Sequence, residues 1–282
     1  MRNLMITFAF AAGCGGSTTS APSSPAGSAT AAASTTIDCG TKIPGIEPFL
    51  EPGAVTLFGE MHGTVEAPAF IGNAACRAAQ NGHEVLVGLE IPNTEQARVD
   101  AFLASTGDEV AVTALLEGTF WTFQDGRSSK AMLALLDQLR QLKQGGAQIG
   151  VVLFDGTMAP DQRDPTMASN LIAAIERSPK AVTLGLTGNI HSRVSAESYM
   201  GWHVRQKYPH LRTMNIAYSG GTAWVCMQDG CGERALRGKD HGTSPFVEIT
   251  SEPDPFGHVG IYYVVQLTAS PPARPREVAA KP

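Results

Sequence analysis

Six short β-rich runs separated by amphipathic stretches constrain this chain more than any other feature. The runs cover residues 54–58, 84–89, 148–154, 181–186, 212–217 and 261–267. They are near-continuously apolar rather than alternating, which is the pattern of strands buried on both faces. Between them, residues 66–80 place Ala67, Phe70, Ile71, Ala74, Ala75 and Ala78 on one helical face, and Asn81-Gly82 follows as a stop. Residues 128–144 carry a stripe of Met132, Leu135, Leu136, Leu139 and Leu142, closed by Gly145-Gly146. Asp164-Pro165 reads as the N-cap and first turn of a helix through Arg177, with Met167, Leu171, Ile172 and Ile175 facing inward. Strands alternating with helices predict an α/β fold: a mostly parallel central sheet, flanked by helices on both faces, in a single domain over residues 37–270. At 282 residues and 43% hydrophobic, the chain has enough apolar surface for one large core.

The first 36 residues do not fit that pattern. "MRNLMITFAFAAGC" has one positive charge at Arg2, an apolar stretch and small residues ahead of Cys14. Residues 1–13 therefore resemble a signal peptide ending in a lipoprotein box, with Cys14 as the lipidated first residue of the mature chain. Residues 14–36 are almost entirely Gly, Ser, Ala, Thr and Pro, too polar and small to bury surface against chain entropy, and read as a flexible tether. The Pro-rich residues 271–282 read as a disordered tail. The implied setting is the bacterial cell envelope, with the exported domain held at a membrane surface by a lipid anchor. A net charge of −5 and the absence of a Lys/Arg run exclude a nucleic-acid surface. Four cysteines follow Cys14, an even number that in an exported chain favours disulfides. Three pairings are open; local closure favours Cys226 with Cys231 and Cys39 with Cys76.

In parallel sheets, ligands bind beyond the carboxyl ends of the strands. The first run ends in Gly59-Glu60-Met61-His62, the second in Gly88-Leu89-Glu90, the third in Phe154-Asp155 and the fourth in Thr187-Gly188-Asn189-Ile190-His191. If the chain stays extended past Gly59, a period of two puts Glu60 and His62 on one face. Helix capping explains one such residue, but not a carboxylate or imidazole at four successive strand ends. No Gly-x-Ser-x-Gly elbow and no His-Glu-x-x-His helix is present. Trp121 and Phe123 fit either a pocket wall or a packed loop. His203 and His210 read as surface residues, and His241 and His258 fall in polar loops.

"GEMHGTVEAP", "VGLEIP" and "RDPTMASNLIAAIERSPKAVTLGLTGNIHSRV" resemble the superfamily that joins erythromycin esterases, ChaN-type haem-binding lipoproteins and TIKI-like metalloproteases. The likeness runs from about Thr56 to about Met214. The esterase branch implies His62 as a general base towards water, Glu60 and Glu90 as orienting carboxylates, and His191 across the cleft. It also implies Arg163 on an anionic group and no cofactor or metal; Glu66 and Asp155, from the same strand-end cluster, are read with Arg163 as substrate contacts. One residue separates Glu60 from His62 where the esterases have two, and this spacing, with the tether, is more like ChaN. That branch implies haem as the bound partner, with Tyr199 or Tyr218 as possible iron ligands and no catalysis. The TIKI-like branch implies a metal-dependent hydrolase.

The anchor has a direct test. Cys14→Ser should move the full chain from the membrane fraction to the soluble fraction of its host; a wild-type chain already wholly soluble there would remove the anchor.

Overall fold

The computed structural model describes residues 38–156 and 159–274, so the expectations for residues 1–36 and for Cys14 lie outside it. Seven strands form the main sheet in the order β3-β2-β4-β1-β5-β9-β8. They are β1 (Val55–Glu60), β2 (Val85–Pro92), β3 (Ile149–Asp155), β4 (Val182–Gly188), β5 (Arg212–Ala217), β8 (Phe246–Ile249) and β9 (Gly260–Tyr263). Every pairing is parallel except β8 with β9. Helices α1 (Glu66–Gln80), α2 (Gln96–Ala104) and α4 (Lys130–Gln144) pack Ile71, Val99, Phe102, Leu135 and Leu139 with Phe58, Val87, Leu89 and Leu184. Helices α5 (Pro160–Arg177) and α6 (Met200–Lys207) pack Met167, Leu171 and Val204 with Leu57, Leu86 and Phe154 on the opposite face. Both faces of the sheet are thus covered, as the continuous apolar runs predict. Helix α3 (Glu109–Leu116) packs beside α2.

A smaller sheet joins β10 (Gln266–Leu267), β6 (Gly220–Met227) and β7 (Gly230–Arg237), in that order. Strand β6 reaches the main sheet at Gly63, whose carbonyl accepts Trp224 N–H at 2.9 Å. Gly63 takes φ +74, and a Cβ there would overlap the Trp224 carbonyl oxygen, so only glycine lets the two backbones meet.

Three expectations need correction. Asp164 does not cap a helix: α5 begins at Pro160 and carries Pro165 inside it. Pro165 lacks only the one N–H that would bond back to Asp161, still in the first turns of the helix. The carboxylate of Asp164 is left free for tertiary contacts. The run 261–267 is two strands in two sheets, because Val265 turns left-handed at φ 68 between β9 and β10. The chain beyond residue 270 stays docked through Arg274: Pro271 accepts Lys130 N–H, and Ala273 donates to Ser128.

Both favoured disulfides are present. Cys226 and Cys231 face each other across the β6–β7 hairpin, and Cys39 is bonded to Cys76 of α1. The bonds close loops of 5 and 37 residues. Loop-closure entropy then assigns about 4 kcal/mol to Cys39–Cys76 and about 2 kcal/mol to Cys226–Cys231. Denaturant unfolding of Cys39→Ser/Cys76→Ser and Cys226→Ser/Cys231→Ser chains should show the larger loss in the first.

Candidate active site

The carboxyl ends of β2, β4 and β1 lie side by side, because Leu89 pairs with Leu186 and Glu60 with Gly188. These strand ends and the turns that follow β1 and β4 line a shared cavity of about 670 Å³. Its walls include Glu60, His62, Glu90, Asp155, Arg163 and His191.

Glu90 is the centre of the cluster and is buried. Its Oε2 accepts Gly188 N–H at 2.7 Å and the Thr187 hydroxyl at 2.8 Å, and its Oε1 accepts Arg163 Nη2 at 2.8 Å. His62 Nε2 stands 3.5 Å from the same Oε2, while its Nδ1 lies 2.9 Å from Glu60 Oε1. The ring therefore bridges two carboxylates, with 27% of its side-chain surface still open. A Cβ on Gly188 would come within 2.8 Å of His62 Nε2, so the glycine leaves room for the imidazole.

The second half of the site is a guanidinium ladder. Arg163 donates through Nε and Nη2 to Asp155, both at 2.9 Å, and through Nη1 to His191 Nε2 at 3.0 Å. A guanidinium only donates, so His191 Nε2 must accept, and its proton sits on Nδ1. That nitrogen donates to Asp164 Oδ1 at 2.8 Å, which also accepts Met200 N–H at 2.7 Å. Arg127 is held by Asp125 at 2.8 Å and Asp155 at 3.3 Å. Every nitrogen of Arg163 already has a partner, so Arg163 organises the cluster and offers little to an anion.

Burial alone would pull the His62 pKa down, but the charges of Glu90 and Glu60 outweigh it and push it up to about 10. Burial raises the Glu90 pKa, and the His62 charge and the Gly188 amide reverse this and hold it well below the usual value. At neutral pH the ligand-free site thus contains a His62 imidazolium clamped by two glutamates.

The other expected residues lie elsewhere. Glu66 is outside the cavity wall, and its carboxylate accepts Thr268 N–H at 2.9 Å. Trp121 is buried in the core, whereas Phe123 joins Ile190 and Val225 in the cavity wall, with Phe123 and Ile190 substantially exposed. Tyr199 and Tyr218 do not line the cavity; His258 is buried behind it. Arg127, in an irregular loop, had no functional signal in the sequence, and Asp164, though part of the stretch that carries the resemblance, was read only as a helix cap. No group of three or more His, Cys, Asp or Glu side chains among the described residues is arranged to hold a metal ion.

These ionisations set the pH dependence of folding. A His62 pKa raised from 6.5 to about 10 adds stability that is complete below about pH 6.5 and is lost as pH rises through about 10. The depressed Glu90 adds stability above its ordinary value of 4.5 that is lost as pH falls through its folded pKa. Urea midpoints measured from pH 4 to about 10.5 should plateau between these limbs, and His62→Ala should remove the alkaline one.

No protein-family model matches the sequence, and no curated protein matches it. Solved structures do share the fold. A succinoglycan biosynthesis protein superposes with a TM-score of 0.56 at 9% identity, over 80% of this chain and 91% of that one. A Bacillus cereus protein gives 0.54 at 10% identity, over 81% and 92%. An erythromycin esterase mutant in its open conformation gives 0.48 at 13% identity, over 82% and 79%. At such identities the first two likenesses concern the fold alone, and the third, at a TM-score of 0.48, adds nothing to them.

Proposed function

We propose that this protein hydrolyses an ester or related bond, with His62 as the proton-transfer group. The observation that carries the reading is the clamp of His62 between Glu60 and Glu90 at the edge of an open cavity. The two contacts are unequal. Nδ1 is held at 2.9 Å, whereas Nε2 has a loose 3.5 Å contact, so Nε2 is the nitrogen that can turn to water. Glu60 keeps the proton on Nδ1 and stabilises the imidazolium that forms when Nε2 takes a proton from the attacking water. Nε2 then returns that proton to the leaving alkoxide, and the acid and the alcohol depart.

The cavity favours an uncharged substrate. Both guanidiniums are matched by carboxylates, and Phe123, Ile190 and Val225 give the wall an apolar side. The residues present favour haem less: His191 and His62 Nδ1 are engaged by Asp164, Arg163 and Glu60 within 3.0 Å, Tyr199 and Tyr218 lie outside the wall, and the one loosely held ring nitrogen, His62 Nε2, is the one the hydrolysis uses. Two disulfides support a place outside the reducing cytoplasm, and we extend this to a Cys14 lipid anchor at the cell envelope.

The test is a screen of neutral esters and lactones across pH. The base must be unprotonated, so the rate should climb with pH towards the His62 ionisation near about 10. His62→Ala should lower the rate by about 10²–10⁴ with the fold intact. Glu90→Gln removes one stabilising charge and should shift the acid limb of the profile downwards in pH. An activity insensitive to His62→Ala would end this reading, as would saturable haemin binding without turnover.

A further inference from the structure

Behind the cavity lies a hydrogen-bonded chain that the proposed chemistry does not use. Ser192 Oγ and His258 Nε2 are 2.9 Å apart, and His258 Nδ1 is 2.8 Å from Asp254 Oδ2. Ser192 and His258 are both closed to solvent. The order serine, imidazole, carboxylate suggests a nucleophile, but Ser192 lines no part of the cavity and no substrate reaches it.

Its position explains it better. Residues 188–192 form a tight turn in which Gly188 accepts His191 N–H at 2.9 Å and Ser192 N–H at 3.3 Å. Gly188, Asn189, Ile190 and His191 of that turn all line the cavity. Ser192 closes it, its hydroxyl lying 3.1 Å from Asn189 O and sharing its one proton between that carbonyl and His258 Nε2. Its hydroxyl also lies close beside β1: a Cβ at Gly59 would overlap Ser192 Oγ and lie 2.9 Å from Asn189 Cα. Gly59 immediately precedes Glu60. One buried oxygen therefore abuts both the turn that carries His191 and the strand that carries Glu60.

The far end of the chain is equally well fixed. Asp254 Oδ1 accepts the N–H groups of Phe256 and His258, both at 2.9 Å, and Val194 donates to Phe256 O at 3.0 Å. Thr213 Oγ1 donates to Gly257 O at 3.2 Å, tying the same turn to β5. A carboxylate only accepts, so Asp254 fixes a proton on His258 Nδ1 and directs Nε2 at Ser192.

We propose that Asp254, His258 and Ser192 are positioning residues, a buried brace that sets the separation of His191 from the Glu60–His62 pair. The inference rests on the cavity being the reactive site, but its test does not require turnover. Histidine ring nitrogens in the ¹⁵N-labelled full chain report the proton positions of His191 and His62 directly. In the wild type, His191 should show a single tautomer with the proton on Nδ1. Ser192→Ala and His258→Gln should mix the tautomers of His191 and lower the pH at which His62 titrates. Ser105→Ala, which removes a hydroxyl bonded to Phe102 O at 2.7 Å, should lower thermal stability with no such change. Should His258→Gln fail to fold, Ser192→Ala and Asp254→Asn give the same readings. In an active preparation, kcat should drop by up to about a hundredfold with KM little altered, as expected for misplacement of reacting groups. Unchanged His191 and His62 signals in folded Ser192→Ala would overturn the proposal.

Discussion

The site depends on one buried carboxylate. Glu90 stands at the end of β2, a strand flanked by neighbours on both sides, and is almost entirely withdrawn from solvent there. A charge in that position is tolerable only when it is hydrogen-bonded and paired. The requirement is met by groups from three other places: Thr187 and Gly188 at the end of β4, Arg163 on α5, and His62 beyond β1. Satisfying Glu90 therefore assembles the site. The same contacts make His62 a strong base that is protonated at rest, so stability at neutral pH and readiness for base catalysis are set against each other.

The strand order makes this convergence possible. Strand β4 inserts between β1 and β2, so the polar ends of three strands distant in sequence become neighbours. Arg163 and Arg127 then distribute the charge of Asp155 and Glu90 instead of presenting free cations. One wall has a different origin. The small sheet docks on Gly63, one residue past His62, and brings Val225 to the cavity. The Cys226–Cys231 bond closes the same hairpin near its turn, and Trp224 Nε1 anchors it by donating to Gln124 O at 2.9 Å.

Local pattern carried much of this. The apolar runs locate the first five strands of the main sheet to within three residues, because continuous hydrophobicity and two-sided burial are the same physical fact. The Glu60-x-His62 spacing is also local, since a period of two brings both side chains to one side. The errors have local causes as well. Asp164-Pro165 has the composition of a helix start, but so has Pro160-Asp161, and local sequence does not rank the two, whereas the helix begins at Pro160. The run 261–267 is apolar up to Gln266 and carries no glycine or asparagine, so the left-handed turn at Val265 leaves no turn signal in its pattern.

The sequence by itself determined the α/β class, the positions of most strands and helices, the favoured disulfide pairs and the strand ends at which chemistry would gather. These follow from periodicity, turn chemistry and burial, all of which act over a few residues. Only the tertiary structure decided the partners. Thr187 meets Glu90 across 97 positions, Arg163 meets it across 73, and His258 meets Ser192 across 66. A hydrogen bond specifies geometry between two groups and imposes no pattern on the chain between them. For that reason Arg127, the true role of Asp164 and the Asp254–His258–Ser192 brace became visible only when the sheet had brought them together.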